Sequence, residues 1–151
     1  MRRYWVEKEC FKENFVILEK EDFHHICEVC RQGLNDKFEI LQDGKAYSVE
    51  LVRVDKKKAF AQILSERVLP ELPKPWVRLC ISMSKFATMD LIVEKAVELG
   101  VSSVHPFVSD FSFVRQLHDP KIKNKTERWE RIAKSATQQT GRGNIMKIEN
   151  T

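Results

Sequence analysis

The sequence predicts an α+β chain in two parts: a small β-barrel, then an incomplete α/β domain built on a parallel sheet. Three observations predict it. Short β-prone runs with a single small helix fill residues 1–68. A proline-rich segment occupies 69–75. From residue 76 onward, β-prone runs alternate with amphipathic helical stretches, the pattern of a parallel sheet with crossover helices.

The first part is read in chain order. Arg2–Val6 and Phe15–Leu18 are short runs rich in aromatic and β-branched residues. Phe23, Ile26, Cys27 and Cys30 recur at helical spacing, which predicts a helix over Asp22–Arg31 with Asp22 as its N-cap. Phe38–Gln42 and Ala46–Val54 flank Asp43-Gly44. An Asp-Gly pair between two such runs signals a tight hairpin, because the turn needs positive φ. Tyr47, Val49 and Leu51 alternate with Ser48 and Glu50, as in a half-buried strand. Asp55-Lys56-Lys57-Lys58 is a polar turn leading into Ala59–Leu64. Several short strands and one helix in this length suggest a compact barrel.

Leu69-Pro70-Glu71-Leu72-Pro73-Lys74-Pro75 separates the two parts. Its prolines exclude helix and central strand alike and stiffen the connection. The expected division is therefore 1–68, a linker at 69–75, and 76–151.

The second part begins with a β-prone run, Trp76–Met83. A helix follows over Asp90–Leu99, with Met89, Ile92, Val93, Ala96 and Leu99 on one face and Asp90, Glu94 and Glu98 on the other. Thr88 suits its N-cap and Gly100 its end. Val101–Val108 is a second strand. A second amphipathic helix begins near Asn124 or Thr126 and presents Trp129, Ile132, Ala133 and Ala136 to a core, and Gly141 stops it. Ile145–Ile148 supplies a third strand. A three-stranded parallel sheet with two helices leaves an edge and a face unfinished, hence "incomplete".

Charge is unevenly spread. Residues 1–75 carry 14 basic and 14 acidic groups; residues 76–151 carry 12 and 8, the whole of the net +4. Within 115–147, Arg115, Lys121, Lys123, Lys125, Arg128, Arg131, Lys134, Arg142 and Lys147 are opposed only by Asp119, Glu127 and Glu130. That excess suits a phosphate-rich partner, and it also suits a plain solvated helix face. No apolar run reaches the roughly 20 residues of a membrane span. The N-terminus lacks the apolar core of a secretion signal. The four cysteines have no framework spacing, as in a reducing cytoplasm.

Several stretches resemble the RsmE-type ribosomal RNA methyltransferase family, in that family's order. Lys85-Phe86-Ala87-Thr88-Met89-Asp90-Leu91-Ile92-Val93-Glu94-Lys95-Ala96-Val97-Glu98-Leu99-Gly100-Val101 is similar to its K-x-x-x-M-D-x-I-x-x-K-A-x-E-L-G-V. Arg2-Arg3-Tyr4-Trp5-Val6 resembles its opening R-x-F-V strand, and His24–Arg31 its H-H-x-x-x-V-L-R helix. Val104-His105-Pro106-Phe107 and Ser112 resemble its I-x-P and T-x-R-S, although the basic residue before the serine is missing. Arg128–Arg142 is close to R-W-x-K-I-A-x-E-A-x-E-Q-S-x-R, with Ser135 and Gln138 where acidic residues are usual.

The resemblance implies a PUA-like RNA-binding barrel followed by the front of a SPOUT-type knotted α/β domain. It implies S-adenosylmethionine-dependent methylation of uridine N3 in 16S ribosomal RNA, a small-subunit partner, a cytoplasmic location and a homodimer in the complete enzyme. The family's Gly-rich G-P-E-G-G knot has no counterpart among these residues, so the expectation is a chain lacking the donor-binding segment, with no cofactor ligand to name.

The implied RNA contacts are Arg2, Arg3, Arg31, Lys85, Arg128 and Arg131, with Arg142 as the catalytic candidate near the target base. Each has a plainer reading: Lys85 as a surface lysine, Arg142 as a cation on helix-terminal carbonyls, the barrel arginines as solvated groups. Two other functions stay open. One is a stand-alone RNA-binding module without catalysis. The other is a small redox or metal protein using Cys27 and Cys30, although C-x-x-C inside a helix fits neither thioredoxin-like chemistry nor a closed zinc site. Of His24 and His25, one is expected packed and one exposed.

Overall fold

A computed structural model describes residues 1–114 and 120–149, with backbone only for 120–123. Arg115 and Asp119 of the basic segment lie outside the described residues. The chain divides into two compact units, Met1–Pro70 and Glu71–Thr151.

The first unit holds a six-stranded sheet in the order β1-β4-β5-β6-β3-β2. The strands are β1 Arg3–Trp5, β2 Phe11–Lys12, β3 Phe15–Glu19, β4 Lys37–Gln42, β5 Lys45–Val54 and β6 Lys58–Val68. β1 runs parallel to β4, and the other pairings are antiparallel. The Asp-Gly hairpin forms as its chemistry requires: Asp43 and Gly44 take φ of 45° and 76°, and Gln42 pairs with Lys45 across the turn. The β5–β6 register slips at Ser48/Val49 and at Leu51/Arg53. These bulges let two long strands bend around one core. That core gathers Val6, Val16, Leu18, Ile26, Phe38, Ile40, Val49 and Leu51, with Tyr4 edge-on to Phe38 at 5.2 Å.

The single helix differs from expectation. A four-residue turn, α1 (Lys20–Phe23), passes directly into a π-helix, π1 (His24–Val29). Asp22 lies inside α1 and is not its cap; Glu19 holds that position without a side-chain bond. The wider π spacing, sealed by Cys30 N–H donating to His25 O at 2.9 Å, keeps both Phe23 and Ile26 buried. His24 and His25 are both exposed. His25 lies edge-on to Tyr4 at 5.9 Å.

The second unit carries a parallel sheet, β7-β8-β9, formed by β7 Arg78–Ser82, β8 Ser103–Phe107 and β9 Lys147–Ile148. Its helices are α2 Phe86–Glu98 and α3 Pro120–Thr140. The helix α2 begins earlier than its apolar spacing suggests: Lys85 is the N-cap residue and Thr88 lies inside the helix. Met89, Val93, Ala96 and Val97 meet Trp129, Ala133, Ala136, Val104 and Met146 in one core. Leu99, expected on the buried face, is the C-cap residue and is 83% exposed. The last turn has already rotated it away from the sheet before Gly100, at φ 81°, ends the helix. α3 opens on Pro120, a residue suited to a first helical turn. Among the described residues no helix is long and apolar enough to cross a membrane.

Candidate functional site

Parallel α/β sheets take ligands at the carboxyl ends of their strands. Here those ends carry hydroxyls. Ser82, the last residue of β7, bonds through Oγ to Ser109 Oγ at 2.9 Å and to Ser112 Oγ at 2.8 Å. Ser112 Oγ also accepts from the Ser109 N–H at 2.7 Å. The segment after β8 folds back over the end of β7: Met83 N–H donates to Phe107 O, and Phe113 N–H to Met83 O, both at 2.9 Å. The fold-back buries Ser112 and leaves Phe111 96% and Phe113 62% exposed. Ser84 Oγ is buried with no partner among the described residues, an uncommon state for a native hydroxyl. Lys85 is exposed and follows it directly. Of these serines, sequence reasoning singled out Ser112 alone. The others are ordinary in sequence and acquire meaning only because parallel strands end side by side.

The expected site residues fall into different settings. Arg2 Nη1 donates to Cys30 O at 2.6 Å, at the end of π1. Arg3 pairs with Glu39 at 2.9 Å, and Arg67 reaches the other oxygen of that carboxylate at 2.8 Å. Burial raises the Glu39 pKa, but the Arg67 and Arg3 bonds outweigh it and hold the carboxyl below its ordinary value. Arg31 is exposed in the left-handed region at φ 55°. Arg2, Arg3 and Arg31 thus belong to one unit, and Arg2 is bonded to the carbonyl just ahead of Arg31.

In the second unit, Arg128 Nε donates to Asp90 Oδ2 at 2.9 Å, and Arg131 Nε approaches Glu127 O at 3.4 Å. Both arginines are exposed on α3. Arg142 is half-buried, and its Nη1 donates to Val97 O at 3.3 Å and Val101 O at 3.0 Å. It clamps carbonyls at the C-terminal end of α2, where the helix dipole favours a cation. Burial pulls its pKa below the usual arginine value. Its Nε has no partner among the described residues.

All four cysteines are free thiols. Burial, then the nearby Glu28, pushes the Cys27 thiol up, away from the thiolate that redox or metal chemistry requires. Cys30 Sγ lies 3.9 Å from His25 Nε2. Among the described residues no group of three His, Cys, Asp or Glu side chains is arranged to hold a metal.

Comparison with known proteins bears on both units. A family model described as an RNA methyltransferase PUA domain matches residues 18–64, and one described as an RNA methyltransferase domain matches residues 70–151. Ribosomal RNA small subunit methyltransferase E of Aquifex aeolicus is 33% identical over 137 residues, which are 90% of this chain and 58% of that protein. The Bacillus subtilis protein of the same name is 33% identical over an aligned length of 154 residues, gaps included, and the match covers 98% of this chain and 59% of that protein. Among solved structures, ribosomal RNA small subunit methyltransferase E from Neisseria gonorrhoeae, bound to S-adenosyl methionine, superposes with a TM-score of 0.82 at 26% identity. That match covers 99% of this chain and 61% of the other. The chain therefore spans about three fifths of the length of the relatives it matches.

Proposed function

The chain belongs to the RsmE-type family of RNA methyltransferases, and on that premise we propose that it serves the methylation of small-subunit ribosomal RNA with S-adenosylmethionine as donor. The observation that carries this reading is the succession, in one chain, of a PUA match on the first unit and a methyltransferase match on the second. The finer parts of the proposal are N3 of a 16S uridine as the target, a homodimeric enzyme, and a cytoplasmic setting where ribosomes are found.

In this reading the six-stranded sheet is a PUA-like barrel. Residues from both ends of its strand order, Val6 following β1 and Phe11 on β2, pack on a single core, as a closed or strongly curled sheet requires. Arg2, Arg3 and Arg31 on that unit, with Arg128 and Arg131 on the other, hold RNA phosphates, contacts that fix register while carrying no sequence information, and Lys85 contacts the target base.

The described residues do not by themselves fit the methyl donor. The three serine hydroxyls at the carboxyl ends are spent on one another, and the five glycines are scattered, so no run of adjacent glycines cradles a nucleoside. What these residues offer is base positioning. Loss of the proton from N3 of uracil spreads negative charge over its carbonyl oxygens, and fixed donors stabilise such charge. The Lys85 ammonium, exposed just past the carboxyl end of β7, is the donor for that role. Arg142 acts as a positioning residue, holding the end of α2 through Val97 O and Val101 O.

Ribonucleoside mass spectrometry of small-subunit ribosomal RNA, from cells with and without the gene, tests the reading. The expected result is loss of N3-methyluridine when the gene is removed. An unchanged level of that nucleoside overturns it.

A further inference from the structure

We propose that a cleft on the first unit, between the α1–π1 segment and the β5–β6 turn, docks the sugar-phosphate backbone of single-stranded RNA. The cleft is open to solvent and has a volume of about 430 Å³. Four lysines line it: Lys20 from α1, and Lys56, Lys57 and Lys58 from the turn. Sequence reading treated the three turn lysines as a polar connector, and the unit's net charge of zero hid them. Folding gathers them with Lys20, which is distant in sequence.

The opposing charges are accounted for. Glu19 pairs with Lys58 at 2.5 Å, and that hydrogen bond holds the carboxyl's pKa below its ordinary value. Glu28, on the same rim, is bonded to His24. Lys56 and Lys57 have no ion-pair partner among the described residues, and both are exposed. They sit at the centre of a turn closed by Asp55 N–H donating to Lys58 O at 2.7 Å. Adjacent lysines there repel one another, at a cost that an anionic ligand would relieve. Lys20 adopts φ 50°, a left-handed conformation that a non-glycine residue seldom takes. That bend turns the chain from β3 into α1 and sets the lysine on the cleft. Phe23 belongs to the core and meets the cleft with only 8% of its surface exposed, so the cations set the ligand chemistry. A polyanion matches them, and the flexible backbone of a single-stranded polynucleotide follows such a basic surface phosphate by phosphate. The inference rests on the RNA reading above and adds a surface separate from its named arginines.

The test is fluorescence anisotropy of a labelled single-stranded oligoribonucleotide titrated with the full chain across a salt series. Lys56→Gln/Lys57→Gln is compared with wild type and with Lys56→Arg/Lys57→Arg, each variant's fold being checked by its thermal midpoint. Each phosphate contact contributes a log–log salt slope of about −0.7 on single strands. The glutamine pair is therefore expected to flatten the slope by about 1.4, and the arginine pair to keep the wild-type slope. Wild-type binding with an unchanged slope in the glutamine pair overturns this inference and leaves the RNA reading intact. Absence of wild-type binding overturns both. If poly-glutamate competes as well as RNA at equal charge, the surface belongs to an acidic protein partner and the inference fails.

Discussion

Asp90 on α2 accepts a hydrogen bond from the indole Nε1 of Trp129 on α3 at 3.0 Å. Its second oxygen takes Arg128 Nε at 2.9 Å. One carboxylate thereby fixes both the buried and the exposed face of α3 against α2, and Trp129 is only 1% exposed. The indole N–H is a donor with no other way to be satisfied once buried. Asp90→Ala should destabilise the second unit by about 1–3 kcal/mol, the cost of stranding a buried donor. Asp90→Asn, which keeps an acceptor, should cost less. Urea unfolding followed by tryptophan fluorescence measures both.

Glu39 supplies an acid-sensitive tie in the first unit. Burial raises its pKa, and the Arg67 and Arg3 hydrogen bonds more than reverse that. The folded value therefore lies below the unfolded one. The stabilisation is fully present above the ordinary value of 4.5 and is lost as pH falls through the lowered folded value. Glu39→Gln should weaken the unit at neutral pH and remove that part of the acid limb. Unfolding midpoints at neutral pH and across pH 3–5 check the sign.

Gly44 occupies φ 76° with open space around the position of a Cβ. Only the backbone conformation opposes a side chain there. Gly44→Ala should cost about 1 kcal/mol through the left-handed strain, with no packing penalty. An equal loss for Gly44→Ser and a smaller one for Gly44→Asn, which tolerates this region, would mark the effect as conformational.

Arg142 is predicted to act on the end of α2. Arg142→Met keeps apolar bulk and removes the donors to Val97 O and Val101 O. The expected effect is a loss of about 1–3 kcal/mol, with faster amide exchange at Leu99, Gly100 and Val101, whose N–H groups bond within this turn. Unchanged exchange there would show that the clamp does not secure the helix end.

The sequence made some of this legible and hid the rest for physical reasons. The Asp43-Gly44 hairpin was readable because positive φ restricts the residue choice locally. α3 was readable because Trp129, Ala133 and Ala136 repeat at helical spacing. Asp90 was read as part of a solvent-facing stripe, since nothing in its own neighbourhood reveals a partner 39 residues away. The π-helix was invisible because Phe23, Ile26, Cys27 and Cys30 fit ordinary helical spacing as well. Leu99 was assigned to the core by periodicity, which does not know where the last turn unwinds. The Ser82–Ser109–Ser112 cluster had no local signature, for it is made by two strands ending side by side. Arg142 had two readings. Its bonds to Val97 O and Val101 O are contacts with helix-terminal carbonyls, on α2 rather than on the helix that precedes it in sequence.

In the proposed function, both units of the chain hold small-subunit ribosomal RNA. Ultraviolet cross-linking of the chain to intact ribosomal subunits, with mapping of the linked nucleotides and peptides, is the decisive measurement. A compact cluster of linked nucleotides in small-subunit RNA, joined to peptides from both units, is expected. Cross-links scattered over both subunits, or confined to one unit's peptides, would overturn the proposal.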